Sequence, residues 1–175
     1  CVCDVDAYEQ KCPAEKQKLL TFDNVSSCIR KSIWQEIPFR EISFGEDIDW
    51  SKHVIEAGYK IVYEPNSAVI HSHNRSVWYE TKRAYLTHRT LNETCGMQLI
   101  PSLKDLIETM PHHLRHNFNI IKQSSISSDQ LYQLYTKAIL LSFGIQFGIF
   151  LGGKRADYPK SWLFNKLDNV CSKGV

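Results

Sequence analysis

The sequence predicts an α/β domain that passes into a mostly helical tail. Three observations carry this. A polar-capped amphipathic segment, "VSSCIRKSIWQEI", precedes a helix that opens on acids, "GEDIDWSKHVIEAG". Two short segments rich in β-branched and aromatic residues follow, "YKIVYEP" and "AVIHSH". Beyond them, long stretches such as "SLKDLIETMPHHLRHNFNIIKQ" take helical spacing.

Residues 1–21 are polar and lysine-rich without a clear period, and read as an irregular lead-in. In the first helix Val25, Cys28, Ile29, Ser32 and Ile33 fall at helical spacing, and Pro38 stops it. "PFREISFG" reads as a loop closing on Gly45. The second helix starts at Asp47, gathers Ile48, Val54, Ile55 and Ala57 on one face and ends at Gly58. The two predicted strands are separated by a Pro65-Asn66-Ser67 turn, and His71 and His73, two apart on a strand, point the same way. The amphipathic stretch after residue 101 is predicted to break at Pro111. A last long helix starts at a Ser/Asp cap, runs apolar to Leu151 and closes on Gly152-Gly153.

The chain has 175 residues, with hydrophobic residues at 43% and charged residues at 23%, which fits one folded domain with an appendage and argues against disorder. A net charge of +2 hides an asymmetry. Residues 1–50 carry 10 acids against 6 Lys/Arg, and residues 51–175 carry 9 against 15. No basic stripe interleaved with aromatics is present, which excludes nucleic acid as the expected partner; the bias suits anionic lipid better. Because it starts at Cys1 without a Met or an apolar leader, the sequence reads as a piece of a longer product.

Glu46, Asp47 and Asp49 crowd one helical turn. Stabilisation of the helix dipole explains them without any chemistry. The same field favours an ionised carboxylate, the state a general base acting on a sugar hydroxyl must have. His71 and His73 suit a metal, but an H-x-H pair fixes neither ion nor geometry. His112, His113 and His116 read as a solvated helix surface. Cys1, Cys3, Cys12 and Cys28 could supply thiolates to zinc. "CVCDVDAYEQKC", however, lacks the paired C-x₂₋₄-C knuckles of a structural site, and Cys28, Cys95 and Cys171, scattered singly, read as reduced thiols.

The apolar run Ala138–Gly153 is shorter than the roughly 20 residues of a membrane span. Gly144, Gly148 and Gly152 repeat at the spacing that allows close helix approach, in a membrane, in a homodimer or within the domain. Lys154, Arg155, Tyr158 and Trp162 behind the run are what a membrane-surface anchor carries.

Taken in order, "FDNVSSCIRKSIWQEIPF", "FGEDIDWSKHVIEAGYKIVYEP" and "AVIHSH" resemble the second half of a family 2 glycosyltransferase of the bacterial, rhamnosyltransferase-like kind. The resemblance covers about residues 22–83 closely and the helical tail loosely. It implies the acceptor-side half of a GT-A nucleotide-sugar-binding fold at 22–83, followed by a helical carboxy-terminal extension at 84–175. It also implies an inverting transfer, with Asp47 as catalytic base and Glu46 beside it. Asn24 and Arg30 would line the cleft, and Trp50 would give a platform for a sugar ring or the Asp47 loop. His71 or His73 would complete the site of a divalent metal, manganese or magnesium, bound mainly upstream. The implied partners are a nucleotide-sugar donor and a glycan or lipid-linked acceptor, met peripherally at the cytoplasmic face of the membrane. The family's upstream Asp-x-Asp has no counterpart: Asp4 and Asp6 follow no apolar strand and lie too close to the Glu-Asp pair. The piece is therefore expected to be inactive alone. Two rivals stand beside this reading: a non-catalytic acceptor-binding or membrane-anchoring module, and a zinc-binding interaction domain.

Overall fold

A computed structural model describes residues 2–3, 5–20, 22, 24–71, 73–124 and 127–174. Its elements in order are β1 (Val2–Cys3), α1 (Val5–Glu9), α2 (Pro13–Leu19), α3 (Lys31–Glu36), α4 (Glu46–Glu56), β2 (Ile61–Val62), α5 (Val77–Cys95), α6 (Leu103–Gln123), α7 (Ser128–Lys154) and α8 (Trp162–Cys171). A 3₁₀ turn, Arg155–Asp157, joins α7 to α8.

The expected α/β architecture is overturned. Among the described residues the strands are only β1 and β2, two residues each, paired antiparallel with Val2 opposite Val62 and Cys3 opposite Ile61. The α/β half of a GT-A fold is therefore not what this chain forms, whereas the helical tail is. The reason lies in pairing. A strand of a parallel sheet is stable when neighbours satisfy its backbone and layers cover both faces. Beyond Ile61–Val62 the described residues of the stretch read as two strands find no ladder partner, and Val62, Tyr63, Val69 and Ile70 stand exposed.

The other departures follow from packing. The lead-in is not irregular: Tyr8 and Leu20 are buried in a cluster with Ile55, Leu91 and Met97, which holds α1 and α2 against α4 and α5. The first predicted helix shrinks to α3, six residues with none buried, so little packing supports a longer one. The second is found as read, ending at Gly58, where the Tyr59 amide reaches the Val54 carbonyl at 3.0 Å. Pro111 lies inside a continuous α6; its missing amide costs one helical hydrogen bond, and packing against α7 carries the helix through. The expected boundary at 83/84 falls inside α5.

Helix α7 runs through Gly152 and Gly153 rather than stopping there, because its glycines serve contact. A side chain at Gly148 would meet the Thr81 carbonyl at 2.6 Å, and one at Gly152 the Tyr85 carbonyl at 2.2 Å. The glycine stripe is thus seated on α5 within the chain. Helix α6 covers a second side of α7, where Asn117 donates to Ser142 at 2.8 Å and Thr109 to Gln146 at 3.0 Å. Helix α8 packs on α5, its Phe164 and Cys171 clustered with Tyr85 and Leu86. Asp168 fastens that packing. It accepts from the Tyr85 hydroxyl at 2.7 Å, from Arg89 at 3.1 Å and from Arg155 at 2.7 Å. Burial alone would raise its carboxyl; these three donors outweigh it and hold Asp168 below the usual carboxylate range.

Candidate functional site

The acid-bearing end of α4 is positioned by Gly45. Its φ of +78° lies in the left-handed region, and a Cβ there would come within 2.9 Å of the Thr90 methyl. Only glycine meets both demands. Thr90 also donates from its hydroxyl to the Phe44 carbonyl at 2.9 Å, so the loop entering α4 is pinned to α5. Gly45 offers no capping side chain, and the first-turn carboxylates stand in its place. Asp47 is half-buried, and its Oδ1 accepts from the following Ile48 amide at 2.8 Å. Glu46 is exposed and accepts from the Asn24 side-chain amide at 3.4 Å. Two of the residues singled out from the sequence thus meet across 22 positions.

The other singled-out residues are placed elsewhere. Trp50 is buried between Phe22 at 4.9 Å and Phe39 at 5.2 Å, and its indole N–H donates to the Ile37 carbonyl at 2.6 Å. At 5% exposure it is a core residue and offers no platform to a sugar. Arg30 is exposed and caps α3 through its backbone. Its charge acts on the Tyr59 hydroxyl, which donates to Glu36 at 2.6 Å.

His71 and His73 are exposed and lie in neither helix nor strand, with ring centroids 4.1 Å apart and edge to face. Local desolvation, then the charge of Arg75 and the neighbouring His71, depresses the His73 imidazole. Among the described residues no group of three or more His, Cys, Asp or Glu could hold a metal ion. The two imidazoles would bring at most two ligands to the hard, oxygen-seeking ion the resemblance implies, whose other ligands it places upstream. Cys1 and Asp4 lie outside the described residues, as does the Cys3 side chain. Cys12 and Cys28 are exposed free thiols.

Local spacing did not reveal what lies on the other side of α4. Asp49, two residues beyond Asp47, points away from it and into the body of the protein. Both oxygens accept from Arg40, Oδ2 from Nε at 2.8 Å. His53 Nδ1 sits 2.7 Å from the Asp49 carbonyl, and the same residues open into a cleft of about 330 Å³ between α4 and α5. Lys52, Arg89, Thr90 and Glu93 also line it. A smaller cleft of about 210 Å³ lies beside Trp50. Neither cleft is lined by Glu46 or Asp47. Comparison of the chain with protein-family models, with curated proteins and with solved structures returned no match.

Proposed function

We propose that the chain contributes the acceptor-side carboxylates of an inverting glycosyltransferase that builds a surface polysaccharide, working on a lipid-linked acceptor at the cytoplasmic face of the membrane. The observation that carries the reading is the Asn24–Glu46 contact at 3.4 Å, which brings the polar residue before α3 to the acids of α4 beside a half-buried Asp47. The order of the motifs supports it independently of fold class.

In this reading Asp47 is the base. As the acceptor hydroxyl oxygen forms its bond to the anomeric carbon of the donor, its proton passes to an Asp47 carboxylate oxygen, and the bond to the nucleoside diphosphate breaks on the opposite face. The leaving diphosphate carries away the electron pair, and the anomeric configuration inverts. Glu46 and Asn24 orient the acceptor. Asp49, tied to Arg40, fixes the pitch of α4 without touching substrate. No step is assigned to His71 or His73.

The test is Asp47→Asn in the intact enzyme, with donor binding and transfer measured separately. Transfer should fall by roughly 10²–10⁴, the usual worth of a general base, while donor affinity stays near the parent's. Transfer at a near-normal rate overturns the assignment.

A further inference from the structure

We infer that α6 and α7 together form a face that lies flat on an anionic lipid bilayer. It specifies the membrane part of the function proposed above and rests on that reading for its biological setting, though its geometry is independent of Asp47. Among the described residues one helical stretch, Gln130–Asp157, is long and apolar enough to cross a membrane, and little of it is buried inside the molecule. Its partners forbid crossing. The glycine side of α7 sits on α5, a helix with buried Lys82, His88, Arg89 and Asn92, and Ser142 and Gln146 are bonded to α6. Entering hydrocarbon would strip these groups of their partners.

The remaining side of α7 is an exposed apolar row. Ile139, Leu140, Phe143 and Phe147 recur at helical spacing, the two phenylalanines 52% and 51% exposed. With Tyr132 and Phe150 at its ends the row is about 27 Å long. It continues onto α6. Phe118 of α6 meets Tyr135 of α7 with ring centroids 5.0 Å apart, and Leu114, Ile107 and Leu103 share the Phe118 side, Ile107 being 72% exposed.

Charge identifies the occupant. On α6, Lys104, Arg115 and Lys122 are all exposed and fall on one line beside the apolar row, a quarter-turn further round, as snorkelling cations do at a lipid headgroup layer; Lys104 stands 3.8 Å from Glu108, a solvent-exposed pair that holds it only weakly. Residues 103–174 hold nine Lys/Arg against five Asp/Glu, a surplus of four. The cations expected from the sequence to serve are otherwise engaged: Lys154 pairs with Asp157 at 3.0 Å and Arg155 with Asp168 at 2.7 Å. A broad apolar row with a basic margin matches an anionic surface; a second copy would set basic row against basic row.

Vesicle flotation of the intact chain tests this, comparing mixed phosphatidylglycerol–phosphatidylcholine vesicles with pure phosphatidylcholine. The parent should partition about tenfold more strongly to the anionic vesicles, less so in high salt, and the F143S/F147S variant should lose at least about tenfold. Lys104→Gln with Arg115→Gln and Lys122→Gln should abolish the anionic preference. The phenylalanines are half exposed, so a circular dichroism spectrum matching the parent's confirms that the fold is kept. No flotation of the parent, or equal flotation of F143S/F147S, overturns the proposal. So does self-association of the parent without lipid that F143S/F147S abolishes, which would make a second copy the occupant. Asp47→Asn should float like the parent, so failure of docking and failure of the catalytic reading are told apart.

Discussion

Arg40 holds Asp49 with both ends of its guanidinium, yet the partners live in different surroundings: the Arg40 side chain is 58% exposed and that of Asp49 3%. Burying a carboxylate is tolerable because this fork satisfies it. The asymmetry has a consequence. Arg40→Ala leaves a buried carboxylate without its counter-ion, whereas Asp49→Ala frees an arginine that water can solvate. The arginine variant should therefore melt lower than the aspartate variant, and the double variant should recover part of the loss. Thermal melts of the three proteins check this. Equal melting of the two single variants would show that the pair is a surface contact and that α4 is held by Trp50 alone.

The seating of α7 on α5 gives a second prediction. In an exposed helix, Gly→Ala stabilises by about 1 kcal/mol through propensity. At Gly152 the added methyl would stand 2.2 Å from the Tyr85 carbonyl and 3.0 Å from the Arg89 amide, both backbone atoms that cannot turn aside. The helices must separate, at a cost of about 1–3 kcal/mol typical of overpacking. Gly152→Ala should thus be net destabilising in denaturant titrations, and Gly174→Ala, where nothing lies within 4 Å but φ is +71°, serves as a control for backbone strain alone. A stabilised Gly152→Ala protein would mean that α7 is not packed on α5 in solution.

How much of this was legible depends on the range of the interactions concerned. Helix α4 was readable to within a residue, since its acids, apolar face and closing Gly58 are local signals. The glycine spacing of α7 announced a close helix contact without saying with whom, because the partner is distant in the chain, Asn92 and Gly153 being 61 positions apart, and its contact side mixes Thr81, Ala84 and Asn92 with no periodic apolar signal. The strands failed for the same reason in reverse. β-branched alternation at 59–64 records a preference for a pleated surface, but a strand needs a partner, and the only one among the described residues, Val2–Cys3, belongs to a segment with no periodic signal. At the site, Asn24 and Glu46 were found by motif order. Arg40, His53 and Arg89 were missed, for their role comes from burial of Asp49, which no spacing rule reports.

His88 supplies a pH signature. It is buried on α5, its Nδ1 has no hydrogen-bond partner among the described residues, and burial pushes its imidazole down to about 4. The folded protein therefore keeps His88 neutral where the unfolded chain, titrating near 6.5, takes up a proton. The unfolded state binds more protons between these values, so stability falls as pH drops from about 6.5 toward 4, by on the order of 3 kcal/mol in total. His113, also depressed by burial, acts in the same direction, whereas Asp168, held below the usual carboxylate range, loses its contribution only at lower pH. His88→Leu separates them. It removes the titration along with an unpaired polar atom, so the loss of melting temperature between pH 7 and pH 4.5 should shrink while stability at pH 7 is kept. An NMR titration of the parent gives a second reading that does not depend on the variant's folding: the His88 ring protons should stay unshifted through pH 6. A midpoint near 6.5, or an unchanged acid loss in His88→Leu, would place His88 in contact with water and leave the acid sensitivity to other groups.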